Sequence, residues 1–237
     1  GGGSRGRSGE RAGVGCMVDG CTTGEEEQYE EGTKFTYGYA DEREPTKITQ
    51  GGYSTHIVVN NHFAVHIPNN LSFEKAAPLL CAGITTYSPI MKAQINKGDK
   101  VAVAGIGGLG HMAVKLAVSK GAEVYAFTTS ADKVKDIKAF GAKEVIVVDN
   151  KEKFLAYQGQ MDYMISTIPY QFDVASYASV VKPYGFFTQV GMPENFQITL
   201  NNLGLSVSRV NFNASLIGGM KETQEMINYC AKNNVLP

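Results

Sequence analysis

Three glycines stand at a spacing that lets a protein backbone approach a diphosphate group. Gly105, Gly107 and Gly110 form the pattern G-x-G-x-x-G in "VAVAGIGGLGHMAVKLA", between an apolar run of strand length and an amphipathic stretch. The first glycine permits a tight turn, the second lets the main chain approach a pyrophosphate, and the third lets helix and strand pack closely. The segment therefore predicts a dinucleotide-binding loop, and the alternative is a turn that serves packing alone.

The next apolar run ends in hydroxyl residues, where a cofactor with a free ribose 2′-hydroxyl usually meets an acid. In "YAFTTSADK" this place is taken by Thr128, Thr129 and Ser130, and Lys133 follows. Hydroxyl groups and an ammonium group suit a 2′-phosphate, which a carboxylate would repel. We therefore expect NADP(H) rather than NAD(H), although Thr129 or Ser130 can instead cap the next helix.

A cysteine lies among small and apolar residues in "APLLCAGITTYSP". Taken alone, Cys81 is either a metal ligand or an ordinary buried thiol, and buried thiols are the more common case. The other cysteines, Cys16, Cys21 and Cys230, do not form a disulfide framework with it. This cysteine usage favours a reducing cytosol.

Strand and helix patterns alternate from Lys100 to the end of the chain. The apolar runs are "KVAVAGI", "EVYAFT", "EVIVVD", "DYMISTI", "GFFTQVG" and "NASLIGG". Nearly continuous apolar strands that alternate with helices indicate a parallel sheet covered on both faces. Six of them predict an α/β protein with a doubly wound parallel sheet, the Rossmann fold. Only the connection before the last strand lacks a plain helical pattern.

The upstream part of the chain differs in composition and in hydrophobic pattern. Residues 1–50 are polar and acidic without a sustained period, which predicts loops, and "GGGSRGRSGE" is typical of a linker. Residues 51–70 are rich in β-branched and aromatic side chains and predict two short strands. A helix capped by Ser72, with Glu74 in its first turn, is expected next.

Composition excludes several classes of function. The 237 residues are 43% apolar and 19% charged, with a net charge of -1. This balance gives no reason to expect nucleic acid or an anionic membrane as a partner. No apolar run approaches the roughly 20 residues of a membrane-spanning helix. We therefore expect a cytoplasmic protein that acts on a small molecule.

Several longer stretches match a known family. They are "GGYSTHIVV", "AAPLLCAGITTYSP", "GIGGLGHMAVKLA", "FTTSADK", "ISTIP" and "SLIGGMKETQEM", with "RAGVGCMVDGC" upstream. Together they resemble the zinc-type medium-chain alcohol dehydrogenases, most closely the cinnamyl alcohol dehydrogenase-like branch. The resemblance implies hydride transfer between NADP(H) and an alcohol or aldehyde, with zinc polarising the carbonyl.

The resemblance also implies a set of site residues. Cys81 is expected to be the catalytic residue and zinc ligand, because the cysteine of "LLCAGIT" has that role in the family. The expected cofactor-binding residues are Thr85, Gly105, Ile106, Gly107, Gly108, Leu109, Gly110, Thr128, Thr129, Ser130, Lys133, Thr167, Gly191, Ser215, Leu216 and Ile217.

The same resemblance predicts the domains and the assembly. It implies a linker-like leader over residues 1–10, a reduced, partly β GroES-like catalytic domain over 11–85, and an NADP-binding Rossmann domain over 86–237. It also implies a homodimer paired along the sixth strand, since "NASLIGG" would otherwise be an exposed apolar edge. The alternative is a monomer whose edge is covered by the preceding connection.

The chain departs from the family at both metal sites. It lacks the "C-H-S-D"-like and "G-H-E" segments that complete the catalytic zinc site, which takes three protein ligands. The lobe that holds a structural zinc in the family reads "DGCTTGEEEQYEEG" here, with Cys21 alone of four cysteines, so we expect no metal there. We also expect the chain to be truncated relative to the family.

Three functions are compatible with these residues. The first is an NADP-dependent, zinc-type alcohol dehydrogenase, which the close match of "LLCAGIT" favours. The second is a zinc-free NADPH-dependent reductase of the same superfamily. The third is a catalytically silent NADP-binding module, which the missing zinc ligands favour.

Overall fold

The structure, a computed structural model, describes residues 9–53 and 55–237. Its strands are β1 (Ala12–Val14), β2 (Met17–Asp19), β3 (Lys34–Phe35), β4 (Tyr37–Ala40), β5 (Ile48–Gln50), β6 (Ala64–His66), β7 (Lys100–Ala104), β8 (Glu123–Thr128), β9 (Glu144–Val147), β10 (Met161–Ser166), β11 (Val181–Gln189) and β12 (Asn211–Ala214). Its α-helices are α1 (Phe73–Pro78), α2 (Ile84–Lys92), α3 (Gly108–Ser119), α4 (Val134–Ala139), α5 (Val174–Ala178), α6 (Asn202–Ser208) and α7 (Met220–Asn233).

These elements form two compact units. One, the sheet unit, consists of Thr85–Ser215. The other, the terminal unit, joins the residues up to Ile84 to Leu216–Pro237. The leader expected over residues 1–10 lies outside the described residues except for its last two. None of the helices within 9–53 and 55–237 has the length and apolar character that crossing a bilayer requires.

The sheet unit is built on six parallel strands in the order β12-β11-β10-β7-β8-β9. The first strand in the chain, β7, lies between β8 on one side and β10 on the other, so the winding direction reverses there. This arrangement confirms the predicted α/β class and doubly wound sheet. Such a reversal opens a crevice at the carboxyl ends of the strands.

Burial explains why the strand sequences read as continuous apolar runs. Val101, Ala102 and Val103 of β7 are fully buried, because both faces of a doubly wound sheet are covered by helices. Aromatic rings extend this core toward the carboxyl ends of the strands. The ring centroids of Phe127 and Phe154 are 5.8 Å apart, and those of Phe154 and Tyr177 are 4.7 Å apart.

The connection before β12 contains a helix that its sequence pattern did not indicate. This helix, α6, begins after Asn201, whose side chain accepts a hydrogen bond from the Gly204 amide. Leu203 and Val207 are exposed on α6. An amphipathic helix is identified by one apolar face and one polar face. Because α6 also has apolar residues on its exposed side, its sequence does not show this contrast.

The terminal unit contains more strands than expected at its start and fewer later. Loops were predicted for residues 1–50, but five strands lie there, and they pair as β2-β3, β4-β5 and β1-β6. Two strands were predicted for residues 51–70, but only β6 is found in the described part. Strands of two to four residues are too short to show an alternating pattern. The predicted helix cap is confirmed, since Ser72 accepts a hydrogen bond from the Lys75 amide at the start of α1.

The C-terminal helix α7 packs in the terminal unit. The Gln224 side chain accepts a hydrogen bond from the His66 amide at 2.7 Å and donates one to the His66 carbonyl at 3.0 Å. It thereby pairs with the edge of β6 as a neighbouring strand would. Leu216–Pro237 consequently belongs to a different compact unit from the rest of the range 86–237, and the domain boundaries expected from the sequence stay a prediction.

A carboxylate holds the lobe of residues 21–33 together. Glu30 Oε1 accepts a hydrogen bond from the Glu25 amide at 2.9 Å, and Glu30 Oε2 accepts one from the Glu27 amide at 3.3 Å. A side chain at Gly24 would overlap this carboxylate. The Thr33 hydroxyl donates to the Glu30 carbonyl at 2.9 Å. Hydrogen bonds therefore close the lobe, in which the sequence predicts no metal.

We expect Glu30→Gln to lower the free energy of unfolding by about 1–2 kcal/mol, because an amide group replaces one of the two accepting oxygens. The control is Glu31→Gln, which removes the same charge from the exposed neighbouring residue. Urea unfolding followed by circular dichroism measures both. Equal losses for the two variants would contradict the assigned role of Glu30.

Candidate functional site

A cavity of about 370 Å³ lies at the carboxyl ends of β7, β8 and β10, within the sheet unit. Its size falls in the range of small-molecule sites. Ten of the predicted cofactor residues line it, namely Gly105, Ile106, Gly107, Gly108, Leu109, Thr128, Thr129, Ser130, Lys133 and Thr167. The lining residues that the sequence did not indicate are Phe127, Ile168, Pro169, Tyr170 and Tyr177.

The glycines of the loop before α3 serve different steric needs. Gly105 has φ +81°, a left-handed conformation that favours glycine. A side chain at Gly110 would overlap the carbonyl oxygen of Gly105, so only glycine lets α3 start this close to β7. A Cβ at Gly107 would meet no atom within 4 Å. Packing therefore does not require glycine at 107, whereas a ligand close to the backbone would.

Hydrogen bonds hold the glycine loop against the end of β10. The Thr167 amide donates to the Ala104 carbonyl at 2.8 Å, and the Thr167 hydroxyl donates to the Gly105 carbonyl at 2.7 Å. The residue that follows β10 thus fixes the glycine loop that follows β7. This directs the N-terminus of α3, with its unpaired amides, toward the cavity.

The hydroxyl residues after β8 lie beside a lysine that reaches the glycine loop. The Ser130 amide donates to Thr128 Oγ1 at 3.1 Å, and Lys133 Nζ donates to the Ile106 carbonyl at 3.3 Å. Ser130 precedes a 3-10 turn but makes no side-chain capping hydrogen bond. The capping role left open for Ser130 is therefore not found, and Ser130 lines the cavity together with Lys133.

The other predicted cofactor residues of the sheet unit do not line this cavity. Gly110 lies in α3 behind the loop, and Thr85 is buried in α2. Gly191 follows β11, where a side chain would overlap the carbonyl of Ile168. The Ser215 amide donates to the Gln189 carbonyl at 3.1 Å, just after β12.

Two further predicted cofactor residues belong to the terminal unit. Leu216 is exposed, and Ile217 is buried with φ 42°. A left-handed backbone is an outlier for a β-branched residue, and such outliers concentrate at functional sites. The cofactor role of Leu216 and Ile217 stays a prediction.

Cys81 lies in the terminal unit, in a π-helical turn of residues Leu79–Gly83, and is exposed. It is therefore not the buried core thiol that the sequence left open. The Cys16 thiol shares a hydrogen bond with it, and Cys16 Sγ lies 3.8 Å from the Leu80 carbonyl. The sequence assigns no role to Cys16, and the one sequence signal near it is the matching stretch "RAGVGCMVDGC".

The two thiols have different acidities. The hydrogen bond from Cys16 lowers the pKa of Cys81 to about 6, although burial acts in the opposite direction. The same hydrogen bond, followed by burial, raises the pKa of Cys16. Cys81 is therefore the thiol that loses its proton first, with Cys16 as the donor to it.

The described residues do not complete a catalytic zinc site. A catalytic zinc takes three protein ligands and an open position. Across 9–53 and 55–237, no three His, Cys, Asp or Glu side chains converge in a way that could hold a metal ion. Cys16 and Cys81 supply two thiols, and His62 Nδ1 lies 2.6 Å from Glu26 Oε1. No chemical step through zinc follows from these residues.

Comparison with known proteins places this geometry in context. Residues 108–232 match the family described as zinc-binding dehydrogenase. The NADP-dependent alcohol dehydrogenase C 1 of Mycolicibacterium smegmatis is 40% identical over 235 residues, which are 97% of this chain and 67% of that protein. The chain thus spans about two thirds of that relative's length.

Two solved structures are similar over nearly the whole chain. The cinnamyl alcohol dehydrogenase SbCAD4 of Sorghum bicolor has a TM-score of 0.90 at 30% identity, over 97% of this chain and 67% of that one. The CAD of Helicobacter pylori, complexed with NADP(H), has a TM-score of 0.87 at 38% identity, over 95% of this chain and 66% of that one.

We expect Gly110→Ala to destabilise the protein by about 1–3 kcal/mol, because the added methyl group must displace the Gly105 carbonyl. The control is Gly108→Ala in the same helix, where a Cβ meets no atom within 4 Å. Thermal melting of both variants tests this. A melting temperature for Gly110→Ala at or above that of Gly108→Ala would contradict the steric explanation.

We expect the alkylation rate of Cys81 by iodoacetamide to rise with pH through a midpoint near 6, because the thiolate is the reactive form. In Cys16→Ala the midpoint should move up toward the ordinary thiol value of 9.0. Peptide mass spectrometry separates Cys81 from the other cysteines, and Cys230→Ala, at a buried thiol, is the control. An unchanged midpoint in Cys16→Ala would refute the donor role of Cys16.

Proposed function

Because the chain belongs to the zinc-binding dehydrogenase family, in its cinnamyl alcohol dehydrogenase-like branch, we propose that it binds NADP(H) in the cavity of the sheet unit and transfers hydride between this cofactor and an alcohol or aldehyde. The observation that carries the proposal is the cavity at the reversal of the sheet, lined by the glycine loop and by Lys133. The similarity to a structure complexed with NADP(H) supports the same cofactor.

The diphosphate of the cofactor lies, in this proposal, at the N-terminus of α3. Gly107 leaves open space there, and the first amides of a 12-residue helix favour an anion. Thr167 keeps the loop in position by its hydrogen bond to the Gly105 carbonyl. These contacts need no metal ion, because none of the lining residues is a typical zinc ligand.

The additional phosphate of NADP(H) lies at the end of β8. Thr128, Thr129 and Ser130 provide hydroxyl or amide groups, and Lys133 provides a positive charge within reach of the loop. No carboxylate lines the cavity among the described residues. This chemistry supports NADP(H), since an acid there would bind the 2′-hydroxyl of NAD(H) instead.

The reaction proposed is the reduction of an aldehyde, in which NADPH donates a hydride to the carbonyl carbon and a proton is added to the oxygen. The products are an alcohol and NADP⁺, and the reverse reaction oxidises the alcohol. In the zinc-type family zinc polarises the carbonyl, but the described residues do not complete such a site, so no step of this proposal passes through the metal. We retain Cys81 as the proposed catalytic residue and zinc ligand, and Thr85, Gly191, Ser215, Leu216 and Ile217 as proposed cofactor contacts, from the resemblance.

A second candidate function rests on the incomplete zinc site. With two thiols brought together in place of three ligands, the described residues suit an NADP(H)-binding module that does not catalyse turnover. A zinc-free reductase is the third possibility, in which NADPH and a shaped pocket suffice. The two alternatives differ in whether an aldehyde is consumed.

We also propose a cytoplasmic homodimer. None of the four cysteines forms a disulfide bond, which agrees with a reducing compartment. Strand β12 is the last in the sheet order, and most of its residues are exposed. An edge strand of this kind pairs readily with a second copy across a two-fold axis.

We expect Lys133→Ala to weaken NADPH binding about tenfold and NADH binding much less, because of the two coenzymes only NADPH carries the 2′-phosphate that the ammonium group is proposed to contact. Lys135→Ala removes the same charge from an exposed position outside the cavity and serves as the control. Fluorescence titration with each coenzyme measures the dissociation constants. A loss of affinity for NADH as large as that for NADPH would contradict this assignment.

Metal analysis combined with a coenzyme assay tests the function itself. The two measurements are NADPH oxidation with cinnamaldehyde and quantification of bound zinc. A zinc-type dehydrogenase should contain zinc and oxidise NADPH, and a zinc-free reductase should oxidise NADPH without zinc. The binding module should bind NADPH without oxidising it. We expect the dissociation constant of NADPH to be unchanged by EDTA, because the cavity contains no metal ligands. Absence of binding to either coenzyme by folded protein would overturn the proposal.

A further inference from the structure

A buried glutamine ties together the carboxyl ends of β10 and β11. Gln189 is only 5% exposed, and its Nε2 donates to two main-chain carbonyls, that of Ile168 at 3.0 Å and that of Gly191 at 2.9 Å. Ile168 lies two residues beyond the end of β10, and Gly191 lies two residues beyond the end of β11. One side chain therefore fixes the separation of the two strand ends after their ladder has stopped.

The glutamine continues a line of hydrogen bonds from the glycine loop. The Thr167 hydroxyl donates to the Gly105 carbonyl at 2.7 Å, and the next carbonyl in the chain, that of Ile168, accepts from Gln189. The Val190 amide also donates to the Ser166 carbonyl at 2.8 Å. The diphosphate loop, the end of β10 and the end of β11 are thus held in one network.

The geometry of the sheet assigns this network to one half of the cofactor. A doubly wound sheet binds a dinucleotide across the strand reversal, with one mononucleotide half on each side. The residues proposed for the adenosine 2′-phosphate follow β8, on one side of β7. Strands β10 and β11 lie on the other side of β7, where the nicotinamide half is then placed.

The side-chain hydrogen bonds of Gln189 are not needed to align β10 with β11, because the main-chain ladder already aligns these strands. The ladder already pairs Ser166 with Gln189 and extends back to Tyr163 with Phe186. Oε1 of Gln189 is buried and accepts no hydrogen bond from the described residues. A buried acceptor without a partner is destabilising, and a retained one requires an explanation beyond packing.

We infer that Gln189 is a positioning residue for the nicotinamide half of the cofactor. By holding the carbonyls of Ile168 and Gly191 at a fixed separation, it sets the surface against which that half lies. The inference rests on the proposed function, since it takes NADP(H) as the ligand. It concerns affinity and orientation at the nicotinamide end and leaves the adenosine end unaffected.

The test compares NADPH with adenosine 2′,5′-bisphosphate, which lacks the nicotinamide half. In Gln189→Met, which keeps side-chain length but loses the amide, we expect NADPH to bind about tenfold more weakly. Affinity for adenosine 2′,5′-bisphosphate should stay within about twofold, because its proposed contacts, after β8 and at the start of α3, do not include the ends of β10 and β11 that Gln189 joins. The shift in fluorescence emission of the reduced nicotinamide on binding should also decrease.

Two further variants separate positioning from stability. Thr188→Val removes a buried polar group from the preceding residue of β11 and should leave the ratio of the two affinities unchanged. Gln189→Asn keeps the amide but is one methylene shorter, so it cannot reach both carbonyls. It should change the ratio in the same direction as Gln189→Met, and it provides the test if Gln189→Met does not fold.

Two results would overturn the inference. One is an equal loss of affinity for both ligands in Gln189→Met and Gln189→Asn, which would mean that the glutamine supports only the fold. The other is unchanged NADPH binding and emission in folded variants. Failure of the proposed function is distinguishable from both, because the unmodified protein would then bind neither ligand.

Discussion

The close approach of α3 to the end of β7 is the constraint on which the cavity of the sheet unit depends. Any side chain at Gly110 would push the helix away from the Gly105 carbonyl, and the amides at the helix start would then no longer point at the loop. Thr167 and Lys133 hydrogen-bond to carbonyls of the same loop from two sides. The absence of a side chain at Gly110 thus allows the amides of α3, the Thr167 hydroxyl and the Lys133 ammonium group to lie close to the same loop.

The two compact units use polar groups in different ways. In the sheet unit, side chains such as Thr167 and Gln189 bond main-chain carbonyls beyond the strand ends, where the ladder no longer satisfies them. In the terminal unit, Gln224 hydrogen-bonds the edge of β6, as a neighbouring strand would. Glu30 hydrogen-bonds main-chain amides of a lobe that a metal ion holds in the family that the sequence resembles. The first pattern shapes the surface proposed for the cofactor, whereas the second satisfies the edge of one short strand and closes a loop.

The sequence predicted the sheet unit well because its signals are long or sterically specific. Fully buried strands such as β7 read as apolar runs, and the spacing of Gly105, Gly107 and Gly110 has few other physical explanations. The short strands β1 to β5 carry no measurable period. Contacts between distant residues, such as Cys16 with Cys81, and the hydrogen bonds of Gln189, depend on tertiary structure and have no local signature.

The carboxylate that closes the lobe of residues 21–33 belongs to the chain itself. A lobe held by four thiolates stays open until an ion is delivered and its cysteines are kept reduced. Glu30 is part of the polypeptide, so its hydrogen bonds with the Glu25 and Glu27 amides need no group from outside the chain. If the sequence prediction of no metal in this lobe holds, we expect the folding of this segment not to depend on the supply of zinc.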